Sequence, residues 1–174
     1  MSICPDNFSS ISDQSTFQDK SELILEGVHR INAKRNCVST DPFTVASIDA
    51  TITRDILNPK NKAYFIWLKN WENNDVLAGY VIADYIKNPE KKLDLHVTYI
   101  TVDVDCSRRG LGTELMKKIF QIAKSENLMV TLEHDATEDL NKFYQNFNPV
   151  KINYSPMNFA KPLFDPVVSL KALN

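Results

Sequence analysis

The spacing of hydrophobic residues along this chain changes several times between helical and strand periodicity. Apolar side chains recur every three to four residues from about Asp19 to Lys34, and again after Asp41, which predicts two helices. Proline suits the first helical position, so Asp41-Pro42 predicts the start of the second helix, and Asn58-Pro59 predicts its end. By contrast, residues 1–16 are rich in Ser, Asp and Asn and are predicted to form a flexible N-terminal tail.

β-Branched and aromatic residues predict strands in the remainder of the chain, and clusters of Asn, Asp, Pro and Lys separate them. Helical spacing returns in two places, through the stretch Leu115 to Ala123 and over Thr137–Phe147. The predicted strands are Ala63–Leu68, Val76–Ile86, Leu93–Val104, Met129–Glu133, Val150–Tyr154 and Val167–Leu170, and a loop with Pro156, Pro162 and Pro166 joins the last two.

This order of elements predicts an α/β (α+β) fold in which helices flank a mixed, mostly antiparallel sheet. A helix connects the strand Leu93–Val104 to the strand Met129–Glu133, so these two strands should be parallel. No internal repeat or linker divides the chain, and residues 17–174 are therefore predicted to form a single domain.

The stretch Ser107–Thr113, with the sequence SRRGLGT, lies between a predicted strand and a predicted helix. Unpaired N–H groups and the positive end of the helix dipole make such a turn an anion site, often for a phosphate. Gly110 and Gly112 let the backbone approach a ligand, and Arg108 and Arg109 add positive charge. The stretch lacks both the Lys-Ser/Thr of a P-loop and the third glycine of a dinucleotide fingerprint. A glycine pair with only a structural role remains the alternative.

The amino-acid composition limits the kinds of molecule that this chain is expected to bind. The chain has 20 basic and 22 acidic residues and a net charge of −2, which gives no electrostatic footprint for nucleic acid. The mild excess of acidic residues favours a cationic partner slightly. The three cysteines, Cys4, Cys37 and Cys106, are far apart, which argues against a disulfide framework and against a metal site. With no targeting segment and no membrane-spanning run, the predicted location is cytoplasmic.

Two motifs together resemble the GNAT superfamily of acetyl-CoA-dependent N-acetyltransferases. Arg109–Leu115 resembles the end of the strand-turn-helix motif that binds acetyl-CoA in the family, and Phe143-Tyr144 resembles the aromatic pair of its late helix. The resemblance spans roughly residues 20 to 172. The chain departs from the family at several positions of these motifs, namely Ser107 in place of Arg or Gln, Thr137 in place of Asn, Leu140 in place of Ala, and Asn148-Pro149 in place of Gly-Phe.

The resemblance implies that the parallel strands splay apart and hold acyl-CoA between them. It implies that Tyr144 is the general acid that protonates the departing thiolate, although packing in the core is the alternative role. His96 matches the position of a proton-accepting Glu in some members, and a sheet histidine satisfied by a neighbour is the alternative. Glu133 and His134 are a second candidate pair for ordering water, and a reaction without a dedicated base is a further alternative. The implied cofactor-binding residues are Ile100, Thr101, Val102, Arg108, Arg109, Gly110, Leu111, Gly112, Thr113 and Asn141.

The implied function is transfer of an acetyl group from acetyl-CoA to a primary amine, either a small cationic amine or a protein amine. A catalytically inactive acyl-CoA-binding regulatory module of the same fold is the alternative. Phe159 and Phe164 of the proline-rich loop could cap a substrate, cover the sheet edge or pack against a second subunit, so a homodimer is one open alternative.

Overall fold

A computed structural model describes the backbone of residues 3–35, 42–88, 90–133, 138–147, 151–156 and 164–171. Side chains are described over 10–34, 46–88, 90–133 and 138–147. Short 3₁₀ turns occupy Gln14–Thr16 and Val104–Cys106. The strands are β1 (Ile3–Asp13), β2 (Lys62–Asn70), β3 (Asp75–Lys87), β4 (Leu93–Val102), β5 (Met129–Glu133), β6 (Lys151–Pro156) and β7 (Phe164–Lys171), and the helices are α1 (Phe17–Arg35), α2 (Pro42–Leu57), α3 (Leu111–Glu126) and α4 (Glu138–Gln145).

Within the described residues, seven strands form one mixed sheet in the order β1-β2-β3-β4-β5-β7-β6. The strands β4 and β5 pair in parallel, with Asp94 opposite Met129 and Val97 opposite Leu132. The pairs β1–β2, β5–β7 and β6–β7 are antiparallel. The predicted fold class, a mostly antiparallel mixed sheet with one parallel pair and flanking helices, is therefore confirmed.

The prediction of a flexible tail over residues 1–16 is wrong where the backbone is described, because residues 3–13 form β1 at one edge of the sheet. Main-chain hydrogen bonds to β2 form this strand, and such bonds do not require a hydrophobic sequence. In addition, Trp67 Nε1 of β2 donates to Ser12 Oγ at 2.8 Å. An edge strand tolerates a polar composition, which explains why hydrophobic spacing did not reveal it.

The middle of the chain follows the predicted pattern more closely. Buried Ile24, Val28 and Ile31 form the inward stripe of α1, whereas Leu23 is exposed. The third predicted strand ends at Val102 rather than Val104, because residues 104–106 turn into a 3₁₀ helix. Two prolines predicted in the last loop, Pro156 and Pro166, lie instead in β6 and β7.

The chain divides into two compact units. The first comprises Met1–Ile82 and Tyr99–Lys117, and its core contains side chains from α1, α2, β2 and β3. The second comprises Ala83–Thr98 and Lys118–Asn174, and contains packed rings of Phe120, Phe143 and Phe147. The single domain over residues 17–174 stays a prediction. None of the helices in the described ranges combines the length and apolar content needed to cross a membrane.

Candidate active site

The turn between β4 and α3 has an unusual backbone conformation. Arg108 and Gly110 both have positive φ, at 61° and 77°. A Cβ atom built on Gly110 would meet no other atom within 4 Å, so the conformation and not the available space favours glycine there. Arginine rarely adopts a positive φ, so Arg108 makes this turn locally strained.

The N-terminus of α3 follows directly and presents free donors. The Glu114 N–H donates to the Gly110 carbonyl at 3.1 Å, closing the first turn of the helix. The N–H groups of Leu111, Gly112 and Thr113 precede this bond, so α3 itself provides no carbonyl for them. Gly112 therefore lies in the first turn of the helix and not in the loop. With Arg108 and Arg109 exposed beside these donors, the segment has the chemistry of an anion site.

A buried carboxylate lies immediately before this turn, and the sequence analysis did not identify it. Asp103 is fully buried and accepts hydrogen bonds from Lys34 Nζ at 3.1 and 3.4 Å. Arg30 Nη2 lies 3.3 Å from the same carboxylate. The sequence does contain one signal, since Asp103 interrupts an otherwise apolar strand pattern between Val102 and Val104. Its partners on α1 could not be inferred, because they are about 70 residues away.

These contacts change the protonation of neighbouring groups. Burial alone would lower the pKa of Lys34, but its hydrogen bonds with Asp105 and Asp103 outweigh burial and raise that pKa. The hydrogen bond with Lys34 lowers the pKa of the Asp105 carboxyl. Burial raises the pKa of the Cys106 thiol, and the nearby Asp103 adds to that effect while Arg109 opposes it. Cys106 is consequently a protonated, buried thiol at neutral pH.

The end of β4 contains Ile100, Thr101 and Val102, and Thr101 is buried. Gly79 of β3 lies against this segment, since a Cβ atom on Gly79 would be 2.7 Å from the Thr101 carbonyl oxygen and 3.2 Å from Val102 Cα. The Asp103 N–H donates to the Ala78 carbonyl at 2.8 Å. The absence of a side chain at Gly79 therefore permits close approach of two backbones beside the predicted cofactor strand.

His96 lies further back on β4, opposite Thr131 of β5, and is half-buried. Its Nδ1 atom lies 3.0 Å from Thr131 Oγ1. The hydrogen bond agrees with a histidine satisfied by a neighbour, and it leaves Nε2 as the atom through which His96 could act as a base. Glu133 is exposed at the end of β5, and His134 lies outside the described residues.

Helix α4 contains the other predicted site residues. The side chain of Tyr144 is buried, and its ring lies 4.9 Å from that of Phe143 in an edge-to-face arrangement. Asn141 is half-buried one turn earlier. The ring contacts agree with a packing role for Tyr144, and the catalytic roles of Tyr144 and His96 stay predictions. The motif positions Thr137, Asn148 and Pro149 lie outside the described residues.

The strand enters a turn with positive φ values and continues into a donor-rich helix N-terminus, which gives this part of the mixed sheet the chemistry of an anion site. Residues 30–148 match the model of the "Acetyltransferase (GNAT) family". The chain therefore belongs to this family. Membership makes it an acyltransferase with acetyl-CoA as its cosubstrate, as the sequence predicted. No curated protein matches the sequence.

Solved structures support the same fold. The PaiA N-acetyltransferase of Thermoplasma acidophilum, solved with coenzyme A, is 11% identical, with a TM-score of 0.64 over 94% of this chain and 99% of that one. The ribosomal-protein-S18-alanine N-acetyltransferase of Escherichia coli is 16% identical, with a TM-score of 0.59 over 93% and 92% of the two chains. A putative streptothricin acetyltransferase of Bacillus anthracis, in complex with acetyl coenzyme A, is 21% identical, with a TM-score of 0.53 over 68% and 66%. At these identities the likeness concerns the fold alone.

Proposed function

We propose that this protein transfers the acetyl group of acetyl-CoA to a primary amine, either a small cationic amine or a protein amine. The observation that carries the proposal is the segment from Arg108 to Thr113. It combines two residues of positive φ, three N–H groups without a partner in their helix, and two exposed arginines. An acyltransferase of the GNAT family requires a pyrophosphate site, and this segment has the donors and the charge for one.

In this proposal the pyrophosphate of acetyl-CoA accepts hydrogen bonds from the N–H groups of Leu111, Gly112 and Thr113. Arg108 and Arg109 add electrostatic attraction, which salt should weaken because both side chains are exposed. The family usually has Arg or Gln at the position of Ser107, so this chain relies more on its backbone donors and on Arg108.

The segment Ile100–Val102 is proposed to bind the pantetheine arm through its backbone. The register between β4 and β5 ends at Val97 and Leu132, and β4 continues for five residues to Val102 before the turn begins. The strand therefore leads from its paired region directly into the proposed pyrophosphate site. A backbone N–H of this segment would polarise the thioester carbonyl, where negative charge develops during the reaction.

The chemistry requires an amine that attacks the thioester carbon and a proton for the sulfur. The amine nitrogen forms a bond to the carbonyl carbon, the carbon–sulfur bond breaks, and the electron pair leaves with sulfur as a thiolate. We assign protonation of the thiolate to Tyr144, because a phenol hydroxyl can donate its proton to a leaving group in the transition state. The support for this assignment is the position of Tyr144 in the late motif, one residue after Phe143.

His96 is proposed to accept the proton that the amine loses. If Nδ1 carries the ring proton and donates it to Thr131 Oγ1, Nε2 retains a free electron pair. Thr131 would then fix the tautomer in which the ring is a base. This is the arrangement in which the observed hydrogen bond and the predicted role are compatible.

Acetyl-CoA binding and turnover against a panel of amines test the function. Titration calorimetry should show acetyl-CoA binding that competes with CoA, and mass spectrometry should detect an acetylated product from at least one amine. The panel contains polyamines, aminoglycosides, amino acids, and peptides with free N-termini or lysines. Both acceptor classes belong in it, because one structural neighbour is named for a protein alanine and another for streptothricin. A protein that does not bind acetyl-CoA would contradict the proposal, and tight binding without turnover of any amine would favour the regulatory alternative.

The cellular location and the oligomeric state are considered together with this function. The sparse, widely spaced cysteines favour a cytoplasmic location, which cell fractionation tests. A homodimer is one alternative for the assembly, and light scattering on the purified protein would exclude it by giving the mass of one chain, 19.9 kDa.

A further inference from the structure

The carboxylate of Asp103 is held from several directions. It is fully buried, both of its oxygens lie within hydrogen-bond distance of Lys34 Nζ, and Arg30 Nη2 lies 3.3 Å away. The Asp105 N–H also donates to it, at 3.1 Å. A buried carboxylate is strongly unfavourable without such partners, so Asp103 has a well-defined position relative to α1.

The main chain of Asp103 is fixed as well. Its N–H donates to the Ala78 carbonyl of β3 at 2.8 Å, and its carbonyl accepts from the Cys106 N–H at 2.8 Å. The residue therefore joins β3, α1 and the 3₁₀ turn Val104–Cys106, and the strained turn begins directly after this 3₁₀ turn.

Ser107 to Gly110 of the cofactor turn are exposed, and a Cβ atom on Gly110 would meet open space. Arg109 interacts with the Cys106 thiol, which ties the cofactor turn to the 3₁₀ turn before it. The segments on either side therefore contribute to its conformation. Helix α3 fixes the end after Gly110, and the contacts of Asp103 fix the start.

The charges around this start are balanced. Asp103 and Asp105 contribute two negative charges, and Arg30 and Lys34 contribute two positive charges. Three ion pairs connect them, Arg30 with Asp103, Lys34 with Asp103, and Lys34 with Asp105. Two uncompensated carboxylates so close to the turn would repel an anion. A purely electrostatic role and a positioning role therefore predict different effects when one charge is removed.

We propose that Asp103, held by Lys34 and Arg30 of α1, is a positioning residue that sets the conformation of the cofactor turn before acetyl-CoA binds. The inference rests on the proposed binding of acetyl-CoA at that turn. A preorganised turn binds its ligand without the free-energy cost of ordering the loop at the moment of binding. Loss of either Asp103 or Lys34 disorders the start of the turn and weakens acetyl-CoA binding.

The test compares Asp103→Asn with Lys34→Met by titration with acetyl-CoA. We expect the dissociation constant to rise roughly tenfold in both variants, because both lose the preorganised start. If the cluster acted only through its charge, Asp103→Asn would bind acetyl-CoA more tightly and Lys34→Met less tightly. Opposite changes, or unchanged affinity in both folded variants, would overturn the proposal.

Two control variants separate positioning from general stability. Asp75→Asn removes a carboxylate that also ties α1 to β3, through Lys20 at 2.8 Å, but that lies outside the turn. Asp105→Asn removes the exposed carboxylate and leaves Lys34 paired with Asp103. Both should keep the wild-type dissociation constant within about twofold. A loss in Asp75→Asn as large as that in Asp103→Asn would assign the effect to stability and reject positioning.

Asp103→Asn removes a buried charge and could prevent folding, so in that event hydrogen exchange of Lys34→Met, which leaves Arg30 as a partner of Asp103, carries the test. Hydrogen exchange supplies a readout independent of turnover. The hydrogen-bonded amides of Asp103, Asp105, Cys106 and Ser107 should exchange faster in the ligand-free Lys34→Met variant than in the wild type, while those of β2 should not. Equal protection of the turn would contradict the inference. Failure of the wild type to bind acetyl-CoA would instead contradict the proposed function, so the two failures are distinguishable.

Discussion

Tyr144 combines a buried ring with a phenol hydroxyl, so one substitution separates packing from chemistry. Tyr144→Phe keeps the ring and its edge-to-face contact with Phe143 but removes the proton proposed for the thiolate. We expect turnover to fall by roughly 10²- to 10⁴-fold, the range of general acid catalysis. The dissociation constant for acetyl-CoA should change by less than about tenfold, because the proton is needed mainly in the transition state.

The control for this substitution is Tyr85→Phe, which removes another phenol hydroxyl, one that donates to Glu126 at 3.0 Å. It should retain wild-type turnover. Steady-state kinetics with an amine identified from the panel measure both variants. Near-normal turnover in Tyr144→Phe would show that Tyr144 has only a packing role and that water protonates the thiolate.

A substitution at His96 tests the proposed general base, as Tyr144→Phe tests the proposed general acid. His96→Gln keeps a polar side chain opposite Thr131 but removes the basic ring nitrogen. We expect the turnover number to fall roughly 10²-fold, within the usual range for a general base. Thr131→Val, which removes only the hydroxyl near Nδ1, should lower the rate less. Wild-type turnover in His96→Gln would show that the amine reacts without this base.

At the scale of single residues, the sequence indicated a glycine turn before α3 but not the ion pairs beside it. The site roles of Gly110, the two arginines and His96 stay predictions, and the sequence gave no indication that Lys34 and Arg30 meet Asp103. Such ion pairs depend on how α1 packs on the sheet, and no local spacing contains that information. Positive φ at Arg108 was equally hidden, because arginine has no intrinsic preference for it.

The turn between β4 and α3 depends on its backbone conformation, so Gly110→Val is the informative substitution at the scale of this element. A β-branched residue is strongly disfavoured at a φ of 77°, whereas its Cβ atom would meet open space. The variant should fold, and its affinity for acetyl-CoA should fall at least about tenfold, equivalent to about 1.4 kcal/mol.

Calorimetry with acetyl-CoA measures this effect, and Arg108→Ala provides the comparison. That variant removes an exposed charge, so its smaller loss of affinity should shrink further as salt is added. If folded Gly110→Val bound acetyl-CoA as tightly as the wild type, the pyrophosphate would have to lie elsewhere.

The pairing of β3 with β4 depends on Gly79. In Gly79→Ala the new methyl group would lie 2.7 Å from the Thr101 carbonyl oxygen, closer than two such atoms can approach, and a backbone atom cannot move aside as a side chain can. We expect a loss of about 1–3 kcal/mol in unfolding free energy, the usual cost of overpacking. Urea unfolding measures this loss against the wild type. A wild-type midpoint in Gly79→Ala would contradict the close approach of these strands.

Elements with strong hydrophobic periodicity were predicted well, and elements formed by backbone pairing were not. Helix α2 begins at Pro42 and ends at Leu57, as the two prolines indicated. Strand β1 has almost no hydrophobic pattern and forms by pairing with β2, whose sequence is about 50 residues away. Likewise β4 ends two residues early, because the side chain of Asp103 caps the 3₁₀ turn that follows.

For the molecule as a whole, the order of elements was sufficient to predict the mixed sheet and its parallel pair. The crossover through α3 requires β4 and β5 to be parallel, and their register confirms it. The position of the closing strands was not predictable in the same way. Strand β7 pairs with β5 and leaves β6 at the edge, and nothing in local spacing distinguishes this order from its reverse.

The whole molecule should be most stable in a broad neutral range and lose stability on both sides of it. At the acidic side, hydrogen bonds with Ser15 lower the pKa of the Asp13 carboxyl, and Lys34 lowers that of Asp105, from an ordinary value of 3.8. As the pH falls, the unfolded chain therefore binds protons at these two carboxyls before the folded chain does. The stabilisation is complete above that value and is lost as the pH falls towards the lower pKa values of the folded state.

At alkaline pH the relevant groups are ones whose pKa is raised, not lowered, in the folded state. Burial raises the pKa of Tyr99 above 10.0 and that of Cys106 above 9.0, so unfolding releases protons that the folded state retains. This stabilisation is complete below the ordinary values and is lost as the pH rises past them.

Urea midpoints measured from about pH 3 to pH 11 should thus form a plateau with two falling limbs. Cys106→Ala should flatten the alkaline limb and Asp105→Asn the acidic one, the latter by no more than about 1 kcal/mol because that pair is exposed. An alkaline limb of unchanged slope in Cys106→Ala would show that the thiol ionises equally readily in both states.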